Sequence, residues 1–227
     1  MKITKLKPPY PRTKPSLIQR YAFFYTGFLP LPRIAKFRWP TLGRVLANRQ
    51  SRRKFQKPLS FQQLAAVIWH SARLREKTLL ENGTIWESRI APSGGGCHPI
   101  HIVILRAPDF PRDILVYDAE HKGFGVVGSV EFKAVRKAVK EIDNCLRVGK
   151  GTVFWFFADV AKTAAKYLHP ESLVWRDSGA LLATMSFVAE GMRLQACGLG
   201  IHETPSLRRI FRLPPSMVGV GGCIISG

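Results

Sequence analysis

The sequence carries one continuous apolar and aromatic run of strand length, Thr152-Val153-Phe154-Trp155-Phe156-Phe157-Ala158. A strand exposed on one face alternates apolar with polar residues, so this unbroken run predicts a central strand buried on both faces. Shorter apolar runs predict further strands at 100–105, 114–117 and 218–225. The run therefore places a buried sheet at the centre of the fold.

Helices are predicted from caps and from apolar stripes at helical spacing. A capping box, Ser60-Phe61-Gln62-Gln63, begins one helix, because the serine and glutamine side chains can each bond the other's backbone N–H. A second stripe spans 135–146, and Asp177 is expected to cap the longest helix, which ends at Gly198 and Gly200. Since strands and helices do not alternate regularly, the pattern favours an α+β fold over a doubly wound sheet.

The composition is typical of a single globular domain. The chain has 227 residues, 46% of them hydrophobic, and no stretch approaches the roughly 20 apolar residues of a membrane span. The four cysteines have neither the spacing of a metal site nor that of a disulfide framework. We therefore expect a cytoplasmic protein with no metal ion and no membrane span.

Positive charge is concentrated at the N-terminus. The chain has 35 Lys and Arg against 15 Asp and Glu, and residues 1–75 hold 17 of the basic residues and no acidic one. Prolines interrupt the first 45 residues, which we interpret as a basic arm (1–45) before a domain (46–227). The arm is either a surface for an anionic partner or a strap on a neighbouring subunit. The strap is the simpler interpretation, and a nucleic-acid partner is not expected.

Three motifs could carry chemistry. The first, Arg49-Gln50-Ser51-Arg52-Arg53-Lys54-Phe55, offers guanidinium groups and a hydroxyl to a phosphate, although alone it is more often a basic surface patch. The second, residues 89–99, contains Pro92-Ser93-Gly94-Gly95-Gly96, where bare backbone would let a flat or anionic ligand approach, or would simply form a turn. The third, Lys166-Tyr167, could transfer protons in a cleft but is by itself usually a surface pair.

In this order and spacing the motifs resemble the flavin-dependent nitroreductase superfamily. Within it they are most similar to the azoline dehydrogenases of the SagB/McbC type, which mature thiazole- and oxazole-containing peptides. Val116-Tyr117-Asp118 with His121, and Asp177-Ser178-Gly179-Ala180, fit the same pattern. The resemblance implies a nitroreductase-like fold, with a central mixed or antiparallel sheet flanked by helices, in a homodimer with FMN at the subunit interface.

The resemblance also implies roles for individual residues. The FMN phosphate and ribityl chain would be held by Arg49, Gln50, Ser51 and Arg53. The flavin ring would be bordered, from the partner subunit, by Pro92, Ser93 and Gly94. A backbone amide near flavin N5 would come from the loop His202-Glu203-Thr204. Basic residues that complete the phosphate site in many relatives are missing after Arg212, and the candidates to replace them are Arg52, Arg208 and Arg209.

The implied activity is oxidation of azoline rings to azoles in a ribosomally made peptide, with cyclase proteins as partners. Lys166 or Tyr167 would remove the Cα proton while FMN takes the hydride, and the choice between the two residues stays open. One alternative is an NAD(P)H-dependent reductase of nitro compounds or quinones on the same scaffold. Another is a non-catalytic binding protein that uses the basic arm. We expect deletion of the arm up to residue 45 to leave flavin binding intact.

Overall fold

A computed structural model describes residues 6–16, 21–81, 85–106, 114–128 and 130–227. The strands are β1 (Tyr10–Pro11), β2 (Gly27–Pro30), β3 (Leu74–Leu79), β4 (Ile85–Arg89), β5 (Ile100–Arg106), β6 (Ile114–Asp118), β7 (Gly123–Val127), β8 (Thr152–Asp159), β9 (Tyr167–Leu168), β10 (Gln195–Gly198) and β11 (Met217–Ser226). The helices are α1 (Leu42–Asn48), α2 (Phe61–Ala72), α3 (Phe132–Asp143), α4 (Val160–Ala164), α5 (Glu171–Gly191) and α6 (Pro205–Phe211).

Seven strands form the central sheet in the order β10-β11-β8-β5-β6-β7-β2, and every neighbouring pair is antiparallel. Strand β8 lies in the interior of the sheet between β11 and β5, and all of its residues are buried. The prediction of a central strand buried on both faces is confirmed, as are the strands β5, β6 and β11.

Helices cover both faces of the sheet, and β8 alternates between the two layers. Phe154 and Phe156 join the core formed with α2 and α5, whereas Trp155 and Phe157 join the core formed with α3 and α6. This alternation follows from the two-residue period of a strand. Burying each such ring contributes about 1.5–3 kcal/mol before the cost of chain ordering. The α+β fold class predicted from the sequence is confirmed.

The capping box of α2 forms as predicted. The Ser60 Oγ accepts the Gln63 backbone N–H at 3.2 Å, and the Gln63 Oε1 accepts the Ser60 N–H at 3.0 Å. The stripe that follows packs into the core through Leu64, Val67 and Ile68, all fully buried.

The predicted bounds of the longest helix are wrong at both ends. Helix α5 begins at Glu171 and runs straight through Asp177, because the carboxylate of Asp177 bonds to the distant loop at Ser93 and Gly94 rather than to its own helix. The helix ends at Gly191, and Arg193 then takes a left-handed conformation with φ 58°. Gly198 belongs to β10 instead, where it pairs with Cys223.

The described residues of the N-terminal arm, 6–16 and 21–45, make defined contacts with the rest of the chain. Strand β2 forms one edge of the central sheet, and Phe23 is buried in the core beside α6. Trp39 packs against Gly191 at the end of α5. The short strand β1 pairs with β9. Among the described residues, no helix combines the length and the apolar character needed to cross a membrane.

Candidate functional site

The loop that joins β4 to β5 is fixed by the middle of α5. The Asp177 carboxylate accepts hydrogen bonds from the Ser93 hydroxyl and, at 2.9 Å, from the Gly94 backbone N–H. Ser93 in turn accepts the His98 backbone N–H at 2.8 Å. Asp177 is buried, and this burial raises the pKa of its carboxyl group against the opposing effect of the two hydrogen bonds. A buried carboxylate therefore sets the position of Pro92, Ser93 and Gly94.

The glycines of this loop leave space that neighbouring side chains use. Gly95 and Gly96 have φ of 60° and 63°, a left-handed conformation that glycine adopts without strain. A methyl group added at Gly95 would collide with the Tyr167 hydroxyl, and one added at Gly96 would approach Trp86 Cδ1 to 2.5 Å. Glycine is therefore required here by the close approach of Tyr167 and Trp86 as well as by the backbone.

The Lys166-Tyr167 pair reaches the same loop. The Lys166 Nζ donates to the Gly95 carbonyl oxygen at 3.1 Å and to the Ile85 carbonyl oxygen at 3.2 Å. Desolvation, with the nearby Cys97 and Asp177, raises the pKa of Tyr167 above its ordinary value of 10.0. Tyr167 is consequently a neutral phenol at physiological pH, able to donate a hydrogen bond. The structure thus brings the second and third sequence motifs together at Gly95.

The N-terminal arm holds this pair from the other side. Strand β1 places Pro11 opposite Tyr167, and the Arg12 backbone N–H donates to the Lys166 carbonyl oxygen at 2.8 Å. The Arg12 guanidinium also donates to the Ala164 carbonyl oxygen at 2.6 Å. The position of Lys166 and Tyr167 therefore depends on residues 10–12.

Buried charges lie beneath the loop, and the sequence motifs did not include all of them. The Arg89 guanidinium pairs with the Glu87 carboxylate at 2.7 Å, and the Glu87 side chain is only 1% exposed. Lys162 lies 3.8 Å from the same carboxylate and donates to the His98 carbonyl oxygen at 3.1 Å. Glu87 could have been noted because it stands two residues before Arg89, hence on the same face of a strand. Lys162 could not, because only the tertiary fold brings it to the loop, and Asp177 was noted as a helix cap and as part of the family pattern but not as a partner of this loop.

The first motif lies at the opposite end of α5. Arg49, Gln50, Ser51 and Arg53 are exposed, and within the described part of the chain no hydrogen bond or ion pair engages their side chains. Arg52 points the other way and pairs with Glu190 near the end of α5. Thirteen residues separate Asp177 from Glu190, which is about 20 Å along a helix. A single chain therefore does not bring the first motif and the Pro92–Gly94 loop together.

Two of the three candidates for completing the phosphate contact are already engaged. Arg52 is paired with Glu190, and Arg208 donates to the carbonyl oxygens of Met217 and Pro214. Arg209 is exposed on α6.

The loop His202-Glu203-Thr204 borders a cavity of about 600 Å³ together with Trp175 and the start of β11. The Glu203 carboxylate accepts the Gly219 backbone N–H at 3.1 Å, and the His202 ring meets the edge of Trp175 at 5.7 Å. The Thr204 hydroxyl is buried without a hydrogen-bond partner among the described residues. His202 and Glu203 line the cavity, whereas Thr204 is fully buried behind it, so residues 202 and 203 are the part of this loop that a ligand could reach.

Comparison with known proteins supports a single family. The model of the nitroreductase family matches residues 46–226. No curated protein matches the chain. Among solved structures, a proposed nitroreductase of Ralstonia eutropha JMP134 is 19% identical with a TM-score of 0.69, covering 97% of this chain and 98% of that one.

Two further solved structures share the fold. The microcin synthetase McbBCD complex of E. coli, with truncated pro-MccB17 bound, is 12% identical with a TM-score of 0.59, covering 92% of this chain and 78% of that one. A proposed nitroreductase of Desulfovibrio desulfuricans in complex with FMN is 17% identical with a TM-score of 0.51, covering 81% and 83%. At these identities the structures establish a common fold, and the family match spans most of the chain. This chain belongs to the nitroreductase family.

Proposed function

We propose that the chain is an FMN-dependent dehydrogenase that oxidises azoline rings to azoles in a ribosomally made peptide. The observation that carries the proposal is the meeting of Lys166 Nζ and the Tyr167 hydroxyl at Gly95, on the loop proposed to border the flavin. A general nitroreductase does not require such a pair.

The residues present fit an FMN molecule. Arg49, Ser51 and Arg53 offer exposed donors suited to a doubly charged phosphate, and Gln50 lies between them. Pro92 is exposed and Ser93 and Gly94 are partly buried, so this loop offers an accessible edge that a flat ring could lie against. The backbone of His202 and Glu203, which line the neighbouring cavity, would supply donors at the ring edge. FMN bound there would supply a hydride acceptor for the substrate.

We infer that two subunits share each flavin site, because the first motif and the Pro92–Gly94 loop contact α5 at distant points. Asp177, which holds the Pro92–Gly94 loop, and Glu190, which pairs with Arg52 of the first motif, lie about 20 Å apart along α5, so we infer that one chain does not hold both ends of one flavin. In a homodimer packed through α5, the loop of one subunit would approach the first motif of the other. The exposed Gly179, with no atom within 4 Å of the space a side chain would fill, lies on that surface.

Proton removal is assigned to Lys166. Its two hydrogen bonds to the carbonyl oxygens of Gly95 and Ile85 fix the position of Nζ beside the loop, where the amine could take the substrate Cα proton. Tyr167 is a neutral phenol with a raised pKa. It would donate a hydrogen bond to a heteroatom of the azoline ring and so stabilise the charge that develops on the ring. Both side chains lie beside the loop that Asp177 holds in place.

The proposed substrate implies partner proteins. A peptide carrying azolines must first be cyclised by other enzymes, and the E. coli structure that shares this fold is a synthetase complex with a peptide bound. We therefore expect the chain to act with cyclase partners on a peptide rather than on a free small molecule.

The first experiment is the visible absorbance spectrum of the purified protein, with FMN identified after heat release. Stoichiometric flavin supports an oxidoreductase, whereas a colourless protein that also fails to bind added FMN would leave only a binding role for the basic arm.

The second experiment separates the two enzymatic functions. On an azoline-containing peptide, Lys166→Ala and Tyr167→Phe should each lower turnover by at least about 100-fold while flavin stays bound, since general acid–base groups contribute about 10²–10⁴-fold. Lys140→Ala, an exposed lysine of α3, serves as the matched control. Rapid reduction of the flavin by NADH or NADPH, with both variants fully active on a nitro compound, would instead identify a reductase.

A further inference from the structure

A groove lies between α3 and α6 on the sheet face opposite α5. We call it the α3–α6 groove: a cavity of about 1010 Å³ with an apolar floor that includes Ala134, Ile210 and Phe211. One wall is formed by the N-terminal arm, where the Phe24 side chain is 83% exposed. An aromatic ring this exposed at the rim of an apolar groove is typical of a surface that binds a partner.

Cations surround this floor. Lys133 and Lys137 of α3 and Arg209 and Arg212 at the end of α6 line the groove, against a single lining acid, Glu131. Within the described part of the chain, no carboxylate forms an ion pair with any of the four. The positive charge is local, because residues 76–227 hold 18 basic and 15 acidic residues.

The positions of these cations lower the stability of helix α3 when no partner is bound. Lys133 lies in the first turn, where the helix dipole favours acids; the turn itself has none, and the acid at the N-cap, Glu131, makes no side-chain capping hydrogen bond. Lys133 and Lys137 repel each other at a spacing of four residues, as do Arg136 and Lys140. Glu141, which could relieve this repulsion, is instead bonded to the Ser206 backbone N–H and hydroxyl. An anionic partner would supply the missing compensation.

We propose that the α3–α6 groove binds an acidic peptide segment that carries an apolar or aromatic side chain, with carboxylates against Lys133, Lys137, Arg209 and Arg212 and the apolar side chain on the floor beside Phe24. The groove lies on the other face of the sheet from α5 and the Pro92–Gly94 loop, so a bound segment and a reacting residue could be held at the same time. The proposal concerns binding alone and does not depend on the azoline chemistry.

The test is fluorescence anisotropy with the full-length protein and a fluorescein-labelled, glutamate-rich peptide that has a central phenylalanine. The double variant Lys133→Glu/Lys137→Glu should weaken binding by about tenfold and flatten its salt dependence, because charges at the rim of an interface act through long-range attraction. Phe24→Ala should weaken it by about threefold. Thermal unfolding of each variant beside the wild type is measured in parallel, and a loss of affinity without a lower melting temperature is required for the result to support the proposal.

The matched control is Arg147→Glu/Lys150→Glu, which changes the net charge equally with two exposed residues outside the groove. It should change the affinity by less than about twofold. If both double variants lost the same amount of affinity, the loss would depend on net charge alone and the proposal would be overturned. The proposal would also be overturned if the peptide did not bind. It would be overturned as well if a single-stranded DNA oligonucleotide of the same charge bound more tightly than the peptide and the groove variant abolished that DNA binding.

Discussion

The Asp177 carboxylate accepts the Gly94 backbone N–H at 2.9 Å across 83 residues of sequence. The same side chain accepts the Ser93 hydroxyl, so one buried group of α5 satisfies two donors of the loop that also meets Lys166 and Tyr167. Helix α5 thereby connects its packing against the core to the geometry of the candidate site. Disturbing Asp177 should consequently affect both stability and activity.

Asp177→Ala should lower the free energy of unfolding by about 1–3 kcal/mol, because it leaves two partly buried donors without their charged partner. Asp177→Asn is the matched variant: its amide oxygen can still accept the Gly94 N–H, so it should cost less. Urea denaturation of both variants and of the wild type measures the difference. Equal stability of Asp177→Ala and wild type would show that water replaces the carboxylate.

The pH dependence of stability provides a second test of Asp177. Burial raises the pKa of this group in the folded protein above 3.8, so the folded state binds the proton more tightly than the unfolded chain does. The contribution of Asp177 to the free energy of unfolding is therefore fully present below pH 3.8 and is lost as the pH rises through its pKa in the folded protein. The stability of the wild type relative to Asp177→Asn should fall across that window and level off at higher pH. A difference that does not change with pH would contradict the raised pKa.

Gly95→Ala should displace Tyr167 and strain the loop. A non-glycine residue in the left-handed region costs about 1–2 kcal/mol, and the added methyl group would collide with the Tyr167 hydroxyl. We expect reduced stability and a turnover loss similar to that of Tyr167→Phe. Gly43→Ala is the control, because no atom lies within 4 Å of its added methyl group; it should stabilise α1 by up to about 1 kcal/mol. Thermal unfolding of the two variants compares them directly, and an unaffected Gly95→Ala would refute the close approach.

The sequence was informative where local chemistry decides the structure. The capping box before α2 and the unbroken run of β8 need only neighbouring residues, and both predictions are confirmed. Asp177 was predicted as a cap because aspartate is a common N-cap, but a partner 83 residues away overrode the local preference. The start of α5 had its own signal in Pro170 and Glu171, since proline and acidic residues favour a first turn.

The two adjacent arginines of the first motif should behave differently. Arg53 is exposed, whereas Arg52 pairs with Glu190, whose side chain is 13% exposed. Arg53→Ala should weaken FMN binding by about tenfold or more with little change in stability, because a hydrogen bond to a charged group contributes about 1.5–3 kcal/mol. Arg52→Ala should lower stability by about 1 kcal/mol and affect FMN less. Flavin fluorescence titration and denaturation distinguish the two, and the reverse pattern would show that Arg52 holds the phosphate.

Deletion of residues 1–45 should destabilise the whole protein, contrary to what the sequence led us to expect. The deletion removes β2 from the sheet and the buried Phe23, and truncating one buried aromatic residue already costs about 3–5 kcal/mol. The truncated protein would then lose bound flavin because a smaller fraction of it is folded. A stable truncated protein that still binds flavin would show that β2 and Phe23 contribute little to the core.

Deletion of residues 1–16 alone should act on catalysis instead. It removes the pairing of β1 with β9 and both hydrogen bonds of Arg12, which hold the backbone of Lys166 and Tyr167, but it leaves β2, Phe23 and Trp39 in place. Since small displacements of catalytic groups can cost about 100-fold, we expect a lower kcat with flavin binding and melting temperature nearly unchanged. Arg12→Ala should reproduce part of this loss and Lys7→Ala none of it. If the short deletion releases flavin while the protein stays folded, the arm belongs to the flavin site or to the dimer rather than to the positioning of the Lys166-Tyr167 pair.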